Sequence, residues 1–239
     1  MEKTLNRLVA EMKGAYGGNL TALLLYGSAV SGDFHEKFSD LNILCVLQEI
    51  SVEVLKKAEG TIAWFVKKGN PPPLFFTWEE IKNSHDVFPI EFLDMQVNHR
   101  VLFGADILQG LQIERENHRL ELEHELRSKF IGLRQGFLSA SHDSKALGGL
   151  ILRSLSSVVT LFRHALILMG ETVSLQKRDI ITRFCARSGL DASLFLSLLK
   201  LREEGQELPS GEALSTFEQY FEEIGKMVRL VDQLPKASS

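Results

Sequence analysis

Leu20-Thr-Ala-Leu-Leu-Leu-Tyr-Gly-Ser28 is a short, continuous apolar run that ends in a Gly-Ser pair. A run this short, apolar throughout and closed by glycine, is the pattern of a strand buried on both faces. Residues 28–38 are small and polar, which predicts a loop with at most one helical turn. Phe38-Ser-Asp-Leu-Asn42 then leads into a second buried strand, Leu41 to Leu47. A Gly-Ser turn at a strand end lets the backbone approach a ligand closely, and its N–H groups and the Ser28 hydroxyl can donate to a phosphate. Asp40 and Asn42 are two apart, so on an extended strand both side chains point to the same face. Oxygens on one face beside a phosphate cradle are how a strand offers a hard cation such as Mg²⁺ to a nucleoside triphosphate.

The flanking segments supply the rest of a sheet domain. Leu5, Leu8, Val9 and Met12 recur at helical spacing ahead of Gly14, Gly17 and Gly18. Residues 51–68 return to that spacing and stop at Asn70-Pro-Pro-Pro73. Leu74–Thr77 predicts a third strand, and Thr77 with Glu80 forms a capping box that opens a short helix. Pro89-Ile-Glu-Phe-Leu-Asp94 predicts a fourth strand, on which Glu91 and Asp94 fall on opposite faces. Strands separated by helices predict an α/β domain with a mixed sheet over residues 1–110. Beyond Gly104 the pattern is helical: Leu122, Leu126, Phe130, Leu133 and Phe137 line one face, and Leu147, Ile151, Leu155, Val158, Phe162 and Leu166 the next. Shorter amphipathic stretches follow near 177–188, 191–204 and 212–233, so residues 111–239 are expected to form an all-α helix bundle.

Charge and composition exclude several classes of function. The net charge is −4, and residues 111–239 carry as many basic as acidic side chains, so no basic clamp for nucleic acid is present. Cys45 and Cys185 each sit in an apolar run and read as small buried hydrophobes. The seven histidines show no H-x-x-x-H or cysteine-partnered spacing, which argues against zinc. Arg163-His164, on an otherwise apolar helix, is expected to snorkel to the surface. Lys177-Arg178 is expected to be a solvated helix face. The N-terminus has no signal-peptide h-region, and charges interrupt the apolar stretches before about 18 residues. Together these predict a soluble cytoplasmic protein with no membrane partner and no nucleic-acid partner.

Gly27-Ser28, the spacer, and Ser39-Asp40-Leu-Asn42 together resemble the polymerase-beta-type nucleotidyltransferase superfamily over about residues 20–110. The signature of that superfamily is Gly-Ser, a spacer, then Asp-x-Asp, with a third carboxylate on a later strand. The helical half is similar in architecture to the accessory domain of small antibiotic-type adenylyltransferases. The resemblance implies that Gly27 and Ser28 hold the triphosphate, with Ser39 and Asn42 completing the nucleotide-binding set. It makes Asp40 the first metal-binding carboxylate and Glu91 the third acidic position, so Asp40 and Glu91 are the implied catalytic and Mg²⁺-binding residues. Implied cofactors are Mg²⁺ and a nucleoside triphosphate, ATP foremost. Implied partners are the nucleotide and a small-molecule acceptor, and sharing of the site in a homodimer is common among similar small transferases. The chain departs from the signature at Asn42, where the family has its second Asp; an amide offers one neutral oxygen in place of a charged pair. Two functions are therefore expected: transfer of a nucleoside monophosphate to a small-molecule hydroxyl, or a catalytically degenerate module that binds a nucleotide or a protein partner.

Overall fold

Leu20–Tyr26 (β1) is apolar on both sides because it is an inner strand with a core on each face. The computed structural model of the protein describes residues 1–30 and 40–234. These fall into two compact units, Met1–Glu114 and Arg115–Ser239. In the first unit the described residues form a four-stranded sheet of order β3-β2-β1-β4, with β2 at Asn42–Leu47, β3 at Leu74–Thr77 and β4 at His99–Gly104. β1 runs antiparallel to β2 and β4, while β2 and β3 are parallel, so the sheet is mixed as expected.

Side chains alternate between two cores. Leu23, Leu25, Ile43, Cys45 and Leu47 pack with Leu5, Leu8, Met12 and Tyr16 of α1 (Glu2–Tyr16). Ala22, Leu24, Leu44 and Val46 pack on the other face with Ile81 of α4 (Trp78–Ser84) and with Phe92 and Met95 of α5 (Pro89–Val97). The predicted capping box is present: Glu80 N–H donates to the Thr77 hydroxyl at 3.1 Å, and the Glu80 carboxylate accepts from Thr77 N–H at 2.7 Å.

Three local expectations need correction. Residues 51–68 are not one helix but α2 (Val52–Lys56) and α3 (Glu59–Lys67), and Ala58 between them is buried. Residues 89–94 are helical, not a strand. Pro89 occupies the start of α5, where its missing N–H has no partner to lose, and Glu91 puts negative charge in the first turn. The strand rule of opposite faces therefore lapses, and Glu91 and Asp94, three apart, lie on neighbouring sides of a helix. The fourth strand is instead β4, whose polar start and half-exposed edge position give no clear alternation.

β4 ends at Gly104, with φ +80°, where an added Cβ would stand 2.1 Å from the Thr21 carbonyl oxygen. Backbone, not a movable side chain, fills that space. Gly104→Ala should therefore lower stability by about 3 kcal/mol, seen as a drop in the urea midpoint.

The second unit is helical throughout: α6 (Arg115–Ala140), α7 (Ser144–Leu168), α8 (Lys177–Ser188), α9 (Ala192–Glu203) and α10 (Ala213–Asp232). The Asp143 carboxylate caps α7 by accepting from the N–H groups of Lys145 and Ala146. α7 is the central helix. Phe162 stacks on Phe184 at 4.3 Å and meets Phe195 edge-on, and Ser154 shares a hydrogen bond with the buried Tyr220 hydroxyl at 2.9 Å. Contrary to the reading of its charges as interruptions, α7 has the length and apolar composition to cross a membrane; more than half of that stretch is buried within the protein's own fold. Arg178 is exposed and paired with Glu203, as a solvated helix face requires.

Arg163 and His164 are not at the surface. Both are buried, and His118 Nε2 lies 2.8 Å from His164 Nδ1, one ring donating to the other. Burial, then the neighbouring His164 and Arg115, lowers the His118 pKa to about 3. In the unfolded chain His118 takes up a proton below about pH 6.5, whereas the folded chain does not until about pH 3. The unfolded state thus binds more protons in that window, and stability falls as pH falls through it. Urea midpoints should drop between pH 7 and pH 5, and His118→Gln should flatten that dependence by close to one proton.

Candidate functional site

The Gly-Ser turn follows directly from the end of β1. Gly27 takes φ +81° and opens a 3₁₀ turn over Gly27–Ala29, closed by Val30 N–H to the Gly27 carbonyl at 2.9 Å. Both backbone groups of Gly27 are held by one residue. Its N–H donates to the Asn98 carbonyl at 3.1 Å, and its carbonyl accepts from Asn98 Nδ2 at 2.8 Å. The Gly27 N–H is therefore already engaged within the fold. The N–H groups of Ser28 and Ala29 have no acceptor inside the 3₁₀ turn, as the first donors of any such turn do not.

The second half-motif lies one strand over. Asn42 is the first residue of β2 and pairs across the sheet with Tyr26. Its amide lies against the turn: Asn42 Nδ2 would be 3.2 Å from a Cβ built on Gly27. Asp40 is exposed and precedes the strand, two residues from Asn42. Leu41, between them, donates its N–H to Asn70 Oδ1 at 3.1 Å, and Asn70 Nδ2 donates to the Phe65 carbonyl at 3.2 Å. Ser39 lies outside the described residues.

Glu91 comes to this region from α5. By strand alternation Asn42 shares a face with Leu44 and Val46, the face that α4 and α5 cover. Tyr26 packs against the same core. Burial raises the Tyr26 phenol pKa, and the charge of Glu91, an exposed carboxylate in the first turn of α5, raises it further. Gly27, Asn42 and Tyr26 thus lie at one end of one sheet face, with Asp40 at the chain's entry to it, and Glu91 is carried by α5, a helix that packs on that face. Among the described residues, no three His, Cys, Asp or Glu side chains group as a ready-made metal site.

No protein-family model matches the sequence, and no curated protein matches it. Among solved structures the chain is similar to the spectinomycin adenyltransferase AAD(9) from Enterococcus faecialis, determined with ATP and spectinomycin. The TM-score is 0.61, the match covers 94% of this chain and 99% of that one, and the identity is 12%. The chain has a nucleotidyltransferase fold. At this identity the likeness carries the fold alone, so any activity has to be argued from the side chains.

Within the nucleotidyltransferase fold, three neighbours of the signature escape a reading of the sequence. Asn98 follows a segment whose alternation mimics a strand, so its place at the end of α5 and beside Gly27 has no local signal. Asn70 reads only as the helix stop before three prolines. Tyr26 reads as one more apolar strand residue. All three are found only through contacts between segments distant in the chain.

Gly27→Ala is expected to cost about 1–2 kcal/mol in urea unfolding, chiefly from the positive φ. Adding Asn42→Ala should recover only the smaller, steric part, because it clears the side chain and leaves the backbone strain.

Proposed function

We propose that the protein binds a nucleoside triphosphate, ATP foremost, together with Mg²⁺, and transfers its nucleoside monophosphate to a hydroxyl of a small molecule. The observation that supports this is the Gly27 turn lying beside Asn42 at one end of the sheet face that α5, the helix carrying Glu91, packs against. In this scheme the turn after Gly27 receives the triphosphate through Ser28, with Ser39 and Asn42 completing the nucleotide contacts. Asp40 and Glu91 would hold Mg²⁺.

The donor set suits a cation that arrives with its nucleotide. Mg²⁺ is commonly bound by one or two carboxylates plus substrate phosphates, keeping several waters. Asp40 and Glu91 would supply those two carboxylates. A second ion bridged by a carboxylate at position 42 does not fit, because Asn42 supplies a neutral amide. When bound, Mg²⁺ neutralises charge on the triphosphate and on the phosphoryl group in transfer. The residues of the chain do the remainder: the turn orients the phosphates, and Asn42 stands beside it.

The same amide favours a second reading, a domain that binds the nucleotide and does not turn it over. Calorimetric titration of ATP with and without Mg²⁺, followed by pyrophosphate release over a panel of hydroxyl-bearing small molecules, separates the two. Transfer predicts Mg²⁺-dependent binding and turnover, with Asp40→Ala weakening the Mg²⁺-dependent affinity by about tenfold or more. Binding without turnover, and activity created by Asn42→Asp, would identify a disabled catalyst. No detectable ATP binding at millimolar concentration overturns both.

A further inference from the structure

The two halves of the signature lie at the ends of different strands, the turn after β1 and the entry to β2, and each is fixed by a side-chain amide from a third segment. Asn98 closes a two-bond ring with Gly27, accepting its N–H at the backbone carbonyl and donating Nδ2 to its carbonyl oxygen. Asn98 also terminates α5, the helix that carries Glu91. The ring therefore ties the phosphate turn to the acidic helix. Asn70 does the corresponding work for the other half. It accepts from Leu41 N–H, the backbone group between Asp40 and Asn42 and just ahead of the β2 ladder, and it anchors itself to the Phe65 carbonyl of α3. Each amide is used as both donor and acceptor, or as a donor beside its own backbone acceptor, so neither carboxylate nor hydrocarbon can replace it without loss.

We propose that Asn98 and Asn70 are positioning residues for the nucleotide site, Asn98 setting the phosphate half and Asn70 the metal half. This rests on the nucleotide-binding reading given above. The two halves make separable demands. Phosphate contacts from the turn act whether or not a cation is present, whereas the placement of Asp40 matters only through Mg²⁺. Asn98→Asp would set a carboxylate oxygen against the Gly27 carbonyl and push the turn away. Asn70→Ala would free the Leu41 N–H and release the chain that carries Asp40.

The test is calorimetric titration of ATP into the full chain, once with Mg²⁺ and once with EDTA, with urea midpoints measured alongside. Asn98→Asp should weaken ATP about tenfold under both conditions. Asn70→Ala should leave the affinity in EDTA within about twofold and remove about tenfold of the gain that Mg²⁺ confers. Asn98→Ala keeps the backbone bond at position 98 and is the milder variant if the aspartate folds poorly; about threefold weakening is expected under both conditions. Folded variants with wild-type affinity overturn the inference, and so do two substitutions that weaken binding equally with and without Mg²⁺, since that is what general loosening of the fold would do. A wild-type chain that binds no ATP overturns the nucleotide reading itself, and that outcome is told apart by needing no variant.

Discussion

Everything in the first unit hangs on the antiparallel pairing of β1 with β2, from Leu20 opposite Leu47 to Tyr26 opposite Asn42. This register puts the end of one strand beside the start of the other, so two chain segments separated by residues 31–39 meet as neighbours. A slip of one residue would send every apolar side chain to the wrong core and draw Asn42 away from Gly27. The hydrophobic alternation that builds the two cores is thus the same constraint that assembles the candidate site.

That double duty explains how much can be read from the chain alone. Leu20–Tyr26 and Asn42–Leu47 are buried on both faces, so their strand character is written in unbroken apolar runs. The helices of the second unit are legible because their apolar residues repeat at three and four. Residues 89–94 mislead because Ile90 and Phe92 alternate across two positions, too few to separate a strand from a helix whose first turn begins with proline. β4 is hidden for the opposite reason: an edge strand with one exposed side needs no strict pattern. In the candidate site, Gly27, Ser28, Asp40 and Asn42 are singled out by their spacing. Asn70 and Asn98 do not, because hydrogen bonds spanning 29 and 71 residues leave no trace in local sequence.

Asn42 marks where local rule and fold diverge. The strand, the turn and the register all agree with a nucleotidyltransferase scaffold, while the side chain at this one position is neutral. A neutral amide beside a glycine turn has no charge to desolvate, which a carboxylate at the same place would have. Under the proposed function the same amide withholds a charge that a bound cation would use.

In the second unit, α7 has a consequence for the order in which the chain comes together. It is packed by α6, α8, α9 and α10, and three of these four helices lie later in the sequence. During synthesis the ribosome delivers α7 before its lid exists, so a nascent chain halted near residue 170 displays a span-length greasy helix to chaperones and membranes alike. The helical half is consequently a poor candidate for trimming from its C-terminus: shortening it by even one helix turns an interior surface into an adhesive one.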